Sequence, residues 1–123
     1  GAIVMVDEVQ TGIGRTGTLL ASSTFDIDAE VVTLAKGIAG GVPMGVCLFK
    51  GKANKVFVAG DHQSTFAGNP LACAAGCVVL DTVSDKNFLD EVVKKGEYII
   101  KCGTINVDNI EEKLATYIKI NVE

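Results

Sequence analysis

Two side chains of opposite charge each close an apolar run in this sequence. Asp7 follows Gly1-Ala2-Ile3-Val4-Met5-Val6, and Lys36 follows Val31-Val32-Thr33-Leu34-Ala35. Lysine and aspartate are seldom fully buried without a partner, so each needs a reason to stand at the end of a buried strand. A lysine there can snorkel to water, or the two charges can form an ion pair. The chemical alternative is a lysine in an apolar pocket, where desolvation depresses its pKa and makes the amine a nucleophile toward carbonyls. A third polar cluster runs Gly60-Asp61-His62-Gln63-Ser64-Thr65-Phe66-Ala67-Gly68-Asn69. Its hydroxyls and amides, close to a helix start at Pro70, suit a phosphate. His62, the one histidine, has no base or metal partner in the pattern and is read as structural. The four cysteines, Cys47, Cys73, Cys77 and Cys102, lack metal-site spacing; they are read as free, buried thiols in a reducing cytosol, and no metal is expected.

Periodicity supplies the elements that position these groups. Short runs rich in β-branched residues and bounded by glycine or polar residues read as buried strands, here residues 2–6, 31–35 and 45–49. The turn Gly41-Val42-Pro43-Met44 is too short for a helical crossover, so the third strand should run antiparallel to the second. Residues 11–28 read as loop with a short helical turn. Asn69 and Pro70 supply an N-cap and a first-turn proline for a helix over 71–83. That helix is apolar on most faces, which predicts burial between layers. A second helix over 87–101 carries an apolar stripe of Leu89, Val92, Val93, Gly96, Ile99 and Ile100, with Gly103 placed for its C-terminal cap. Asp108 and Glu111 form a capping box for a last helix with Ile110, Leu114, Tyr117 and Ile118 on one face. The pattern is α/β. Ligands of such sheets bind at the carboxyl ends of the strands, where Asp7 and Lys36 both stand.

Composition narrows the partners. A net charge of −4 over 123 residues argues against nucleic acid or an anionic membrane. No apolar run has the length of a membrane span. The chain opens already inside a strand and without an initiator methionine, which reads as a piece of something longer.

One motif points elsewhere. Gly12-Ile13-Gly14-Arg15-Thr16-Gly17 matches the G-x-G-x-x-G of dinucleotide-binding domains. Such a domain needs the glycines in the strand-to-helix turn itself, with the helix N-terminus facing a pyrophosphate. Here Asp7-Glu8-Val9-Gln10-Thr11 intervenes, and no amphipathic helix follows Gly17. Pyridoxal phosphate makes fuller use of the residues: a lysine for its aldehyde, a carboxylate for its pyridine nitrogen, and a hydroxyl-rich loop for its phosphate.

Asp7-Glu8-Val9-Gln10-Thr11-Gly12-Ile13-Gly14-Arg15-Thr16-Gly17, then Leu34-Ala35-Lys36-Gly37-Ile38-Ala39-Gly40-Gly41-Val42-Pro43, then Ser64-Thr65-Phe66-Ala67-Gly68-Asn69-Pro70-Leu71-Ala72 resembles the class III (ornithine-type) pyridoxal-phosphate aminotransferases. The resemblance implies part of the large domain of a fold-type I PLP-dependent transferase: a mainly parallel sheet with an antiparallel strand, flanked by helices. It implies Lys36 as the Schiff-base lysine and proton shuttle, Asp7 on the pyridine nitrogen, Gln10 near the phenolic oxygen and Val9 against a ring face. Thr65, with Ser64, would reach the phosphate of the partner subunit's cofactor, so a homodimer with shared active sites is implied. Glu8 is read as electrostatic support for the loop, and Arg15 as solvated or locally paired rather than bound to a substrate carboxylate.

The implied reaction is transamination of N-acetylornithine with 2-oxoglutarate, in arginine biosynthesis and in the cytoplasm. Ornithine, succinylornithine and 4-aminobutyrate are the alternative amino donors, and an inactive remnant is the alternative to an enzyme. Residues 1–101 are assigned to the PLP-binding large domain and 102–123 to a divergent helical tail. Gln63 and Ala67 replace glycines usual in the family, which implies a rearranged phosphate loop. The main phosphate loop, the ring-stacking aromatic residue and the substrate-carboxylate arginine have no counterpart here, so this chain alone is expected to be inactive.

Overall fold

In the computed structural model, which describes residues 1–102 apart from the side chain of Cys102, three short strands form one sheet. They are β1 (Met5–Asp7), β2 (Val31–Leu34) and β3 (Val46–Phe49), in that order across the sheet. β1 and β2 are parallel, with Met5 opposite Val31 and Asp7 opposite Thr33. β2 and β3 are antiparallel, with Val31 opposite Phe49 and Leu34 opposite Val46, as the short connection requires. β2 is the central strand and its Val31, Val32 and Leu34 are buried. β1 is shorter than the strand expected over residues 2–6 and runs one residue past it, to Asp7. The Val4 amide donates to the Glu30 carboxylate (2.8 Å), and its carbonyl accepts from the Glu30 and Val31 amides.

A 3-10 turn, Lys36–Ala39, leaves β2 directly and sinks Ile38 and Ala39 into the core. There they join Ala29, Val32 and Leu34, with Ile13, Leu20, Met44 and Val46 packed around them. Two further 3-10 turns, Ala21–Phe25 and Gly51–Lys55, lie in the connections. The first is the helical turn expected in residues 11–28.

α1 (Pro70–Val83) begins as the sequence predicts: the Asn69 side chain accepts from the Ala72 amide at 2.9 Å, with Pro70 in the first turn. It packs on the Lys36–Ala39 turn through Gly76. A Cβ there would meet Met44 Sδ at 3.2 Å and the Ile38 carbonyl oxygen at 3.5 Å, so glycine lets the helix approach the turn this closely. The expectation that α1 is buried all round is corrected. Ala72, Gly76 and Val83 are buried, while Leu71, Val78 and Leu80 are exposed, so one face is covered and the other open.

α2 (Lys86–Cys102) follows after a short turn at Ser84 and Asp85. Residues Gly1–Val93 form one compact unit, and α2 from Lys94 onward lies outside it. The predicted stripe is half-buried at Leu89, Val92 and Gly96, but Val93, Ile99 and Ile100 are exposed. The cysteine expectation is also corrected: Cys47 and Cys77 are exposed and Cys73 is half-buried, all as free thiols. The Gly103 cap and the capping box and helix around Asp108–Ile118 lie outside the described residues. Among the described residues, no helix is long and apolar enough to cross a membrane, and no cluster of metal-ligating side chains occurs.

Candidate active site

The parallel pairing of β1 with β2 carries Asp7 and Lys36 to the same edge of the sheet. Asp7 ends β1 opposite Thr33, and Lys36 follows β2 two residues past its end. Both side chains are exposed, so Lys36 does not sit in an apolar pocket of this chain. Nor do the two pair. The ion pairs between described residues are Lys50 with Asp28 and Lys86 with Asp90.

Each group is instead held by a neutral partner. Asp7 Oδ1 accepts from the Val9 amide (2.9 Å) and the Thr33 hydroxyl (3.2 Å), and Oδ2 accepts no hydrogen bond among the described residues. Lys36 Nζ donates to Gln10 Oε1 at 3.2 Å. The result is a fixed carboxylate with one open oxygen and a cation restrained only by an amide. That donor set fits a ring cofactor with a basic nitrogen at one edge and an aldehyde beyond it.

The backbone at Lys36 is itself unusual. Its φ of 51° lies in the left-handed region, which is uncommon for a residue with a side chain. Lysine in that conformation opens the 3-10 turn, and Gly40 closes it with φ 61°. Strained backbone of this kind persists where surrounding packing over-determines it, here Ile38 and Ala39 in the core and α1 against the turn.

Val9, Gln10 and Lys36 line one cavity of about 550 Å³, walled on the far side by Val79, Val83 and Phe88. Arg15 also lines it, with no ion pair to its guanidinium among the described residues. The size is in the usual range for small-molecule sites. Ser64 lines a different cavity, with Gly45, His62 and Phe66, and Thr65 is exposed without a hydrogen bond among the described residues. Asp7, Val9, Gln10 and Lys36 are therefore brought together, and Ser64 and Thr65 stand apart from them.

Glu8 is the residue whose weight the sequence understates. It is 1% exposed, although it stands between exposed Asp7 and half-buried Val9. Its Oε1 accepts from the Ser22 amide (2.6 Å); Oε2 accepts from the Thr11 hydroxyl (2.5 Å) and the Ala21 amide (3.2 Å). Burial works to raise its pKa, but these hydrogen bonds outweigh it and hold the carboxyl below its ordinary value. The available signal was the strand alternation, which turns Glu8 to the side opposite Asp7, and a threonine three residues on.

The glycine run is explained by packing. No helix opens at Gly12. The amides of Gly12, Ile13 and Gly14 donate to the carbonyls of Glu8, Leu19 and Leu19, so they do not face a phosphate. A Cβ on Gly12 would meet the Glu8 carbonyl oxygen at 2.8 Å. One on Gly17, whose φ is 87°, would meet Val93 Cγ2 at 2.3 Å. These glycines admit the loop's own backbone and the first turns of α2.

The mixed α/β sheet with its lysine turn and flanking helices is part of the large domain of a fold-type I PLP-dependent transferase. The model of the family Aminotransferase class-III matches residues 1–107, and the chain belongs to that family, whose cofactor is pyridoxal 5′-phosphate. The acetylornithine aminotransferase of Methanopyrus kandleri is 40% identical over 123 residues, 100% of this chain and 32% of the relative. That of Caldanaerobacter subterraneus subsp. tengcongensis is 51% identical over 96 residues, 78% of this chain and 24% of the relative. Among solved structures, acetylornithine aminotransferase from Elizabethkingia anophelis superposes with a TM-score of 0.75 at 35% identity, over 91% of this chain and 27% of that one. Ornithine aminotransferase from Toxoplasma gondii, with PLP partially occupying its active site, gives 0.75 at 34% identity, over 82% and 24%. The chain thus spans between 24% and 32% of the length of these two curated relatives.

Proposed function

We propose that this chain carries the cofactor lysine of a transaminase that moves the amino group of N-acetylornithine to 2-oxoglutarate, in arginine biosynthesis and in the cytoplasm. The carrying observation is that Asp7 and Lys36 stand at the ends of adjacent parallel strands, held apart by neutral partners with one Asp7 oxygen open. Residues 1–101 belong in this reading to the PLP-binding large domain; the tail assigned from residue 102 onward lies outside the described residues but for the backbone of Cys102.

When bound, the cofactor's protonated ring supplies the electron sink for the substrate α-carbon. Asp7 keeps the ring nitrogen protonated through its open oxygen, while Val9 and Thr33 fix the other. Lys36 would hold the cofactor through its aldehyde, and its Nζ would carry the proton at the substrate α-carbon. Gln10, within reach of Lys36 Nζ, also meets the phenolic oxygen, and Val9 packs on a ring face. Ser64 and Thr65 bind the phosphate of the partner subunit's cofactor in a homodimer. Their distance from the Lys36 cavity supports that assignment, as does the exposed apolar surface around their loop, with Phe66 79% and Leu71 72% exposed.

The choice of N-acetylornithine rests on the curated relatives named above; the Toxoplasma structure favours ornithine as the second reading. Borohydride reduction of the holoenzyme followed by peptide mapping should find the cofactor on Lys36. Lys36→Ala should lose the visible absorbance of the lysine-bound cofactor and lower kcat by at least about 10³-fold. Covalent cofactor on another lysine would sink the reading, and no cofactor at all would favour an inactive remnant. Comparing kcat/KM for N-acetylornithine, ornithine, succinylornithine and 4-aminobutyrate decides the donor.

A further inference from the structure

Four consecutive residues, Asp7 to Gln10, supply three of the groups assigned to the cofactor ring, and the fourth points the other way. Glu8 alone is buried, and both its main chain and its carboxylate anchor this tetrapeptide to the rest of the fold. Its amide donates to the Thr33 carbonyl (2.9 Å), and its carbonyl accepts from the Gly12 amide (2.9 Å). Its carboxylate ties the segment to Thr11 on one side and to Ala21 and Ser22, fourteen positions away at the farther contact, on the other. The Val9 amide that fixes Asp7 Oδ1 is the next main-chain group after Glu8, so a turn about Glu8 would move Asp7's anchor and Gln10 together.

We infer that Glu8 is a positioning residue for the cofactor: its buried carboxylate sets Asp7, Val9 and Gln10 at the ring. The inference rests on the PLP reading above. It makes a specific chemical demand. Both carboxylate oxygens accept, and all three residues donate, Ala21 and Ser22 through backbone N–H groups. Glutamine in the same space would turn an N–H toward Ser22 in one orientation, or toward Ala21 and Thr11 in the other. The threonine hydroxyl can reverse and accept, but a backbone amide cannot, so either orientation leaves one N–H facing another. The segment must shift to relieve it. Aspartate, one methylene shorter, cannot span to both sides.

The test uses the holoenzyme and three variants, Glu8→Gln, Glu8→Asp and Thr11→Val, with the thermal midpoint of each apo form recorded separately. Cofactor dissociation constants come from the visible absorbance, and the pH dependence of that band is followed in parallel. Glu8→Gln should weaken cofactor binding by about tenfold or more, the scale of one charge-assisted hydrogen bond. It should also shift the pH profile of the band, because Asp7 and Gln10 move relative to the ring. Thr11→Val removes one donor and leaves the carboxylate in place; it should weaken binding in the same direction by a smaller factor, and it serves if Glu8→Gln does not fold. Variants that melt lower but bind cofactor as tightly as wild type, with an unchanged pH profile, would show a purely structural Glu8 and overturn the inference. A wild-type holoenzyme with no lysine-bound band would overturn the PLP reading, and the inference with it.

Discussion

The two loops that carry the proposed cofactor contacts are built in opposite ways. Residues 8–22 fold around a buried acid: Glu8 takes two amides and a hydroxyl, Gly12 and Ile13 close back on Glu8 and Leu19, and Gly14 and Gly17 lie against Leu89 and Val93. Residues 60–69 are almost wholly exposed. They are shaped by local turns, with the Asp61 carboxylate on the Val58 amide and the Ala67 amide on the Ser64 carbonyl. In the proposed site the ring groups are thus organised within one chain, whereas the phosphate groups lie on an exposed loop. Pre-organised contacts cost less on binding. A shared site divided in this way would keep its chemistry intact in each subunit and take its phosphate grip from assembly.

The largest break of this contrast is removal of the acid. Glu8→Ala strands a buried amide at Ser22, a half-buried one at Ala21 and the Thr11 hydroxyl, and should cost about 3–5 kcal/mol, since each unsatisfied buried group costs about 1–3 kcal/mol. Asp61→Ala, in the exposed loop, removes one exposed contact and should stay within about 0.5 kcal/mol. Urea unfolding of the two variants measures the difference directly; equal losses would mean the loops are not held differently.

Glycine substitutions sharpen the comparison at a smaller scale. Gly17 and Gly60 both have left-handed φ, 87° and 99°. A Cβ on Gly17 strikes Val93, while one on Gly60 meets nothing within 4 Å. Gly60→Ala should therefore cost about 1 kcal/mol from conformation alone. Gly17→Ala adds overpacking to the same conformational cost and should reach about 2–4 kcal/mol. A Gly17 variant no worse than Gly60→Ala would mean that Val93 yields to the added methyl without cost.

The same contrast separates what was legible in the sequence from what was not. β2, the antiparallel β3 and the Asn69–Pro70 helix start follow from local signals, namely β-branched runs, a short turn and a capping pair. The adjacency of Asp7 and Lys36 needed only one further step, parallel pairing. The glycine run misleads because G-x-G-x-x-G records only that side chains are unwelcome. Whether a phosphate, a helix or the chain's own carbonyls come close is a tertiary fact. The sequence predicts Glu8 as electrostatic support but not its burial, since a charged residue beside Asp7 looks solvated until Ala21 and Ser22 fold over it. The open face of α1 was missed for a related reason. Apolar residues all round a helix show that it can be covered on every side, and Leu71 and Val78 remain exposed in this chain.

Acid should weaken the first loop selectively. Glu8 has its pKa lowered on folding, so its contribution is fully present above its ordinary value of 4.5 and is lost as pH falls through the lower folded value. The urea midpoint of wild type should therefore exceed that of Glu8→Gln by a margin that is constant above about pH 5 and narrows below it. A margin that grew in acid would reverse the sign and place the lowered pKa in the unfolded chain instead.

Thr65→Ala should have the smallest effect on folding and the most selective effect on function. Its side chain makes no hydrogen bond among the described residues, so the unfolding free energy should move by less than about 0.5 kcal/mol. In the proposed dimer the loss appears across the interface. A hybrid of one Lys36→Ala subunit and one Thr65→Ala subunit then holds one site with both defects and one site with neither. It should bind cofactor at half stoichiometry with wild-type affinity. If each subunit instead supplied Thr65 to its own site, the remaining lysine would sit opposite the altered residue and the half that binds would bind weakly. One titration of the hybrid thus decides whether the exposed loop serves its own chain or the other.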